Sequence, residues 1–202
     1  MSQDKSSQLK KAAAEDGIAN PGGAAWASAS MLYVGLVPVT SWLARTGALS
    51  SLVDGTARLL PGYQPGSGRI IPAMSALYIF WTFGASGAGS VAGQAMGREG
   101  GLDNDEPRKH VNNLRGLPLR LRSAHLGLLE NFPAWALAAA LAQLMAPNNR
   151  EIVNLLGFSV IAKLFVFYPM YLLGIAGPRS LSHLSATAAV INVCLRLASG
   201  AA

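Results

Sequence analysis

Apolar residues in this chain collect into long uncharged segments rather than into the amphipathic stripes that are typical of soluble helices. Asp, Glu, Lys and Arg are absent from 17–44, 70–97, 131–149 and 180–195, and 152–178 holds only Lys163. A helix needs about 20 mainly apolar residues to cross the hydrocarbon core of a bilayer. The pattern therefore predicts an all-α fold, an integral membrane four-helix bundle.

Four membrane spans are predicted, at about 70–96, 123–146, 151–175 and 180–198. The first contains Gly89 and Gly93 in a GxxxG pattern, and small residues at this spacing let helix backbones approach closely in a membrane. The pattern leaves open whether the partner helix belongs to the same chain. We predict that 70–202 forms the membrane domain.

Residues 1–69 are predicted to be an N-terminal extension with one apolar segment, 24–44. This segment is long enough to cross a bilayer, and Trp26 and Trp42 would lie about 24 Å apart on a helix, as interfacial anchors do. Pro38 weakens it as a membrane helix. Three interpretations stay open: a fifth span, an interfacial helix, or a segment that packs against a partner.

Composition and charge agree with a membrane protein and narrow the expected partners. Of the 202 residues, 51% are hydrophobic and only 13% are charged, whereas soluble domains carry about 25% charged residues. The net charge of +6 comes from basic residues that border the spans, which indicates membrane topology rather than nucleic-acid binding. Loop 97–122 and Arg179 are expected on the cytosolic side, or on its equivalent in an organelle. An endomembrane and the mitochondrial inner membrane both fit this pattern.

Cysteine and histidine usage limits the chemistry that we expect. The single cysteine, Cys194, excludes an internal disulfide, and no cluster of Cys and His predicts a metal site. His183 lies near the start of the fourth span, where we expect it to pack against other residues.

The second span begins with ionisable residues, which are costly inside a bilayer and usually face the bundle interior or a wet cavity. At about 100° per residue, Arg122, His125 and Glu130 fall within about 140° of one another, so they can share one side of a helix. Glu130 lies roughly 12 Å beyond Arg122 along the axis. Two interpretations follow: an ion pair that only fixes packing, or a charged pocket for a polar ligand.

Four short motifs occur in an order that resembles the MAPEG family (membrane-associated proteins in eicosanoid and glutathione metabolism). They are Arg122-x-x-His125-x-x-x-x-Glu130-Asn131-x-Pro133, Asp103-Asn104-x-x-Pro107-Arg108, Tyr168-Pro169-Met170-Tyr171 and Pro178-Arg179-Ser180-Leu181. The resemblance covers about 70–198 and leaves 1–69 outside it.

The resemblance implies a four-helix bundle in the lipid bilayer that assembles as a homotrimer. It also implies glutathione as co-substrate, bound between subunits. By this resemblance the candidate catalytic residues are Tyr171 and Arg179, and the candidate glutathione-binding residues are Arg98, Arg122, His125, Glu130 and Lys163. The chemistry fits, because guanidinium groups bind carboxylates and a cationic site favours the thiolate.

Two positions depart from the family pattern. Gly127 stands where the family has an asparagine, and Leu164 stands where it usually has an arginine, about two turns before the tyrosine. Lys163 is adjacent to Leu164, but it would face the same way only after a shift of helix register. Each lost charge-assisted contact is worth about 1.5–3 kcal/mol, so the departures predict weak glutathione binding.

Two functions from different classes therefore stand side by side. The first is a glutathione-dependent transferase or peroxidase, in which Arg122, Glu130, Arg179 and Tyr171 converge on a pocket at a subunit interface. The second is a non-catalytic accessory or scaffold subunit of a larger membrane complex. It predicts that residues 1–69 contact other proteins and that no thiol ligand binds.

Overall fold

A computed structural model of the chain describes residues 11–17, 31–97, 102–103, 105–106 and 108–200. These residues form helices joined by loops and turns, with no strand among them. The helices that build the bundle are α1 (Met31–Ala44), α2 (Gly47–Ala57), α3 (Ile70–Ala95), α4 (Gly116–Met145), α5 (Arg150–Leu173) and α6 (Ala176–Ser199). The prediction of an all-α fold is confirmed.

Three of these helices, α3, α5 and α6, are long and apolar enough to cross a membrane. Helix α4 has 30 residues but is not in this group, since it carries Arg120, Arg122 and Glu130 among its apolar residues. It begins at Gly116, before the predicted start of the second span at 123, because hydropathy marks only the apolar part of a helix. The chain is an integral membrane protein.

The small residues of α3 bring it against α4 and α5 of the same chain. A Cβ atom at Gly93 would lie 3.1 Å from the carbonyl oxygen of Pro118, and one at Gly89 would lie 3.0 Å from the hydroxyl oxygen of Tyr168. Both distances are too short for an ordinary van der Waals contact. The GxxxG pattern therefore serves packing within the chain.

Two of the long helices contain a π-helical turn, Phe80–Ala85 in α3 and Ala162–Phe167 in α5. Such a turn adds a residue to the helix, so the positions beyond it rotate relative to an α-helical count. Lys163 lies in the turn of α5 and its side chain is fully buried. The α-helical spacing from Tyr171 therefore does not decide whether Lys163 or Leu164 faces the interior of the bundle.

Buried polar residues connect α3, α4, α5 and α6 near their middle. The Asn131 side-chain amide on α4 donates to the Tyr78 hydroxyl on α3 at 3.2 Å, and Thr187 on α6 donates to the Asn131 carbonyl at 3.1 Å. Trp135 on α4 donates from its indole nitrogen to the carbonyl of Leu156 on α5 at 3.1 Å. Hydrogen bonds of this kind supplement van der Waals packing between membrane helices.

Helices α1 and α2 pack against α5 and α6. Asn154 of α5 donates to the Ala44 carbonyl at 2.7 Å and to the Ser50 hydroxyl at 2.9 Å. Asn192 of α6 donates to the Ser41 hydroxyl of α1 at 2.8 Å. At about 1.5 Å per residue, α1 is about 21 Å long, which is shorter than a hydrocarbon core of about 30 Å.

Residues 24–30 of the predicted apolar segment, including Trp26, lie outside the described residues. Whether 24–44 as a whole crosses the membrane therefore stays a prediction.

Ion pairs hold the C-terminal end of α1 and one side of α2 against α5 and α6. Glu151 accepts from Arg196 at 2.7 Å and from Arg45 at 3.1 Å, and Arg150 lies 2.9 Å from Asp54.

Candidate functional site

A cavity of about 540 Å³ lies between α4, α5 and α6. Its volume is within the range of small-molecule binding sites. It lies towards the end of the bundle where α4 begins, α5 ends and α6 begins, which is also the end of the polar loop. Apolar and polar residues line it together: Leu126, Gly127, Phe167, Leu184, Ser123, Glu130, Tyr171, Arg179, Ser180 and His183.

Two opposite charges face this cavity, Glu130 from α4 and Arg179 from α6. Neither forms an ion pair within the described part of the chain. The guanidinium of Arg179 lies over the ring of Tyr171, 4.6 Å from its centroid, in a cation–π contact. A ligand with both an anionic and a cationic group would therefore find a complementary charge for each.

Lys163 lies behind the cavity wall and does not line it. Its side-chain nitrogen donates to the Gly127 carbonyl at 3.1 Å and lies 2.7 Å from Nδ1 of His183. The ring centroid of Phe167 is 4.3 Å from the same nitrogen. The buried Lys163 side chain thus has a backbone acceptor, an imidazole and a ring face as neighbours.

Gly127 is required for this arrangement. A Cβ atom at this position would lie 2.5 Å from Cζ of Phe167, which no ordinary contact allows. The missing side chain lets the ring pack against α4, and the backbone carbonyl of the same glycine binds Lys163. The two departures from the family pattern, at 127 and near 164, are therefore parts of one local structure.

The remaining candidates lie elsewhere in the single chain. Nδ1 of His125 is 3.0 Å from the Ser86 hydroxyl, so this histidine faces α3 rather than the cavity. Arg122 is absent from the cavity lining. Arg98 lies outside the described residues. The structure thus brings together Glu130, Tyr171 and Arg179, places Lys163 behind them, turns His125 towards α3 and leaves Arg122 out of the lining.

The sequence analysis assigned His183 to packing, but this residue lines the cavity. The signal that could have identified it is its spacing. Arg179 and His183 are four residues apart on α6, and residues at this spacing are neighbours on one helix face. A candidate site residue at 179 therefore makes 183 a candidate as well.

Among the described residues, no group of three or more His, Cys, Asp or Glu could hold a metal ion.

Comparison with protein families identifies the chain. The model of the MAPEG family matches residues 71–199, which is more than half of the sequence. The chain belongs to the MAPEG family. The matched range includes every residue that lines the cavity, and it begins after α1 and α2. No curated protein and no solved structure matches this MAPEG protein.

Proposed function

We propose that this MAPEG protein is a glutathione-dependent membrane transferase or peroxidase. The observation that carries the proposal is the cavity in which Glu130, Tyr171 and Arg179 meet. Glutathione has carboxylates for the Arg179 guanidinium, an ammonium group for Glu130 and a thiol that the Tyr171 hydroxyl can hydrogen-bond. A nearby guanidinium lowers the pKa of a thiol and increases the fraction of the nucleophilic thiolate.

In this proposal Tyr171 hydrogen-bonds the sulfur, and the positive charge of Arg179, which binds a carboxylate, stabilises the thiolate from nearby. In conjugation the thiolate forms a sulfur–carbon bond, and the electrophile loses its leaving group or, in an addition, takes up a proton. With a peroxide the thiolate forms a sulfur–oxygen bond as the O–O bond breaks and an alcohol leaves, and a second glutathione then converts the sulfenic acid to the disulfide and water. The electrophile would arrive through the bilayer, since apolar substrates concentrate there. Lys163 supports the cavity wall in this scheme and does not contact the ligand.

We propose further that a homotrimer completes the site. The family resemblance implies binding between subunits, and His125 faces α3 rather than the cavity. In a trimer, the α3–α4 side of one subunit would face the cavity of the next. Arg122, His125 and Arg98 of one subunit would then add positive charge and donors to the other subunit's cavity.

One observation favours the second candidate function, an accessory or scaffold subunit of a larger membrane complex. Helix α1 exposes large apolar side chains, with Met31 77%, Val34 66% and Trp42 68% exposed. In this case the apolar face of α1 would pack against another membrane protein, and the cavity would bind no thiol.

Calorimetry of glutathione binding to the purified protein in detergent tests the proposal. We expect micromolar to low-millimolar binding by the wild type, and binding weakened by about 10- to 100-fold in Arg179→Ala, because a charge-assisted hydrogen bond is lost. Arg58→Ala is the matched control, since Arg58 is exposed just after α2 and is not part of the cavity. Absence of binding by well-folded wild-type protein would reject the catalytic proposal in favour of the accessory one.

A further inference from the structure

Arg120, near the start of α4, has a guanidinium group without a partner in the part of the chain that the structure describes. Its Nε atom is buried and makes no hydrogen bond, and no ion pair of that part includes this arginine. A buried donor that lacks an acceptor is costly, and the large majority of such groups in folded proteins have one. We therefore expect the acceptor to come from outside the chain.

The position of Arg120 is at the edge of the membrane domain. Helix α4 begins at Gly116, so Arg120 lies about 6 Å along the axis from the start of the helix. Its side chain lies beside the turn between α5 and α6, where Nη1 is 3.9 Å from the place that a Cβ atom of Gly174 would take. Three helix ends meet there next to the polar loop, at the border between lipid and water.

Exposed apolar side chains surround this guanidinium. Leu117, one turn before Arg120 on α4, is 45% exposed. Leu173 and Ile175, on either side of Gly174, are 66% and 44% exposed. Such side chains on a membrane protein face acyl chains. A small anion from water would leave them without a contact, whereas a phospholipid can place its phosphate at the guanidinium and its acyl chains along the apolar residues.

The neighbouring arginines differ from Arg120 in their surroundings. Arg179 lies over the ring of Tyr171 and lines the cavity, whereas Arg120 is not among the residues of the cavity lining. Arg115, the residue before α4, is exposed. Arg120 thus combines an unpaired guanidinium with apolar neighbours, and Arg115 supplies positive charge at the same end of the bundle.

We propose that Arg120 binds the headgroup of an anionic phospholipid, in the leaflet that the basic residues predict to be cytosolic. A guanidinium can donate to two phosphate oxygens at once. A zwitterionic headgroup offers the same phosphate beside a positive charge, so the site should favour a lipid with a net negative charge. Anionic lipids are characteristic of the cytoplasmic leaflet, where they attract basic segments beside membrane helices. The inference goes beyond the proposed function and does not depend on glutathione binding.

A purely structural role of Arg120 gives a different expectation. Its guanidinium lies near the C-terminal end of α5, where a positive charge stabilises a helix in any lipid. In that case Arg120→Gln would lower the unfolding midpoint by the same amount in anionic and in zwitterionic bilayers. A lipid site would instead remove the difference between the two bilayers.

Native mass spectrometry of the full chain in a nonionic detergent measures lipid binding. The probes are phosphatidylglycerol and phosphatidylcholine with identical acyl chains. We expect the wild type to bind phosphatidylglycerol about tenfold more tightly, and Arg120→Gln to bind both lipids alike, because a charge-assisted hydrogen bond is lost. Arg115→Gln is the matched control, since it removes one positive charge from the same end and should keep the preference. Equal affinities in the wild type, an unchanged preference in Arg120→Gln, or an equal loss in Arg115→Gln would overturn the proposal.

Thermal unfolding in nanodiscs separates a lipid site from a site for free phosphate. We expect phosphatidylglycerol to raise the midpoint of the wild type by about 2–4 °C over phosphatidylcholine, and Arg120→Gln to unfold cooperatively in both lipids without this difference. Inorganic phosphate, added to phosphatidylcholine nanodiscs, should leave the midpoint unchanged. A rise with inorganic phosphate that equals the rise with phosphatidylglycerol and requires Arg120 would contradict a lipid site. Equal lowering of the midpoint by Arg120→Gln in both lipids would leave only the structural role.

Discussion

The contact between Gly127 and Phe167 shows how single residues shape the cavity. Taken alone, Gly127 is a missing asparagine amide and Lys163 is a misplaced cation, and two such losses predict weak ligand binding. In the folded chain the glycine admits the Phe167 ring, and its carbonyl accepts from Lys163. The Lys163 nitrogen also lies 2.7 Å from Nδ1 of His183, which lines the cavity. The two positions are therefore coupled and their effects on binding should not add.

We expect Gly127→Ala to destabilise the protein. Alanine has a helix propensity about 1 kcal/mol better than glycine, but the added methyl group meets Phe167 at 2.5 Å, and overpacking costs about 1–3 kcal/mol. The net loss should be up to about 2 kcal/mol, measured as a lower thermal unfolding midpoint in detergent by circular dichroism.

The control for this change is Gly55→Ala on α2, where no atom lies within 4 Å of the added methyl group. This variant should gain up to about 1 kcal/mol from helix propensity alone. Combining Gly127→Ala with Phe167→Leu should recover most of the loss, because the smaller side chain leaves space. Equal midpoints for Gly127→Ala and Gly55→Ala would mean that the contact has no effect on stability.

At the scale of the helices, polar groups hold α1 and α2 against the family domain, the part of the chain that matches the MAPEG family (71–199). Asn154 and Asn192 lie buried on α5 and α6, and their amide nitrogens donate to α1 and to Ser50 of α2. Without these two helices the amides would face lipid, where nothing accepts their hydrogen bonds. The family domain of this chain is thus adapted to its own N-terminal helices.

Removal of residues 1–57 should therefore destabilise the remaining bundle. Each unsatisfied buried amide costs about 1–3 kcal/mol, and the ion pairs of Glu151 with Arg45 and of Arg150 with Asp54 are lost as well. We expect a lower unfolding midpoint and aggregation in size-exclusion chromatography. The double change Asn154→Leu/Asn192→Leu should partly rescue the truncated chain and should destabilise the full chain. A truncated chain as stable as the full one would contradict this view of α1 and α2.

At the scale of the whole molecule, the polar loop before α4 and the turn after α4 lie at opposite ends of the bundle. The cavity lies at the same end as the polar loop. Within the loop, the backbone amides of Glu106 and Asp105 donate to Asp103 and hold the pKa of its carboxyl below its usual range. A hydrogen-bonded, charged loop of this kind belongs in water. The arrangement requires α4 to cross the membrane although its composition is less apolar than that of α3, α5 and α6.

Cysteine labelling tests this topology directly. Asn113→Cys and Asn148→Cys, each with Cys194→Ala, place one exposed thiol before α4 and one after it. With a membrane-impermeant maleimide on oriented vesicles, the two thiols should react from opposite sides, and Asn113→Cys from the cytosolic side as the basic residues predict. Chains with Cys194→Ala alone give the background. Labelling of both thiols from the same side would show that α4 does not cross.

The sequence alone determined the helical class, the membrane environment and the family, and the structure and the family match confirm them. These properties depend on local patterns, namely uncharged segments of bilayer length and short motifs in a fixed order. Helix ends were less well predicted, as the early start of α4 at Gly116 shows, because polar residues can continue a helix beyond its apolar part. The functional role of the candidate residues stays a prediction.

Only the tertiary structure decided which side chains meet in the cavity. Helical spacing placed Arg122 and His125 beside Glu130. Because the three side chains are spread over about 140° around the axis of α4, they can still contact different neighbouring helices. His125 contacts α3 at Ser86, and Glu130 faces α5 and α6. His183 lines the cavity one turn after Arg179, whereas Lys163 lies behind it, because the π-helical turn of α5 and the packing of three helices set the direction of the lysine side chain. Such directions depend on contacts between residues far apart in the chain, which no local pattern records.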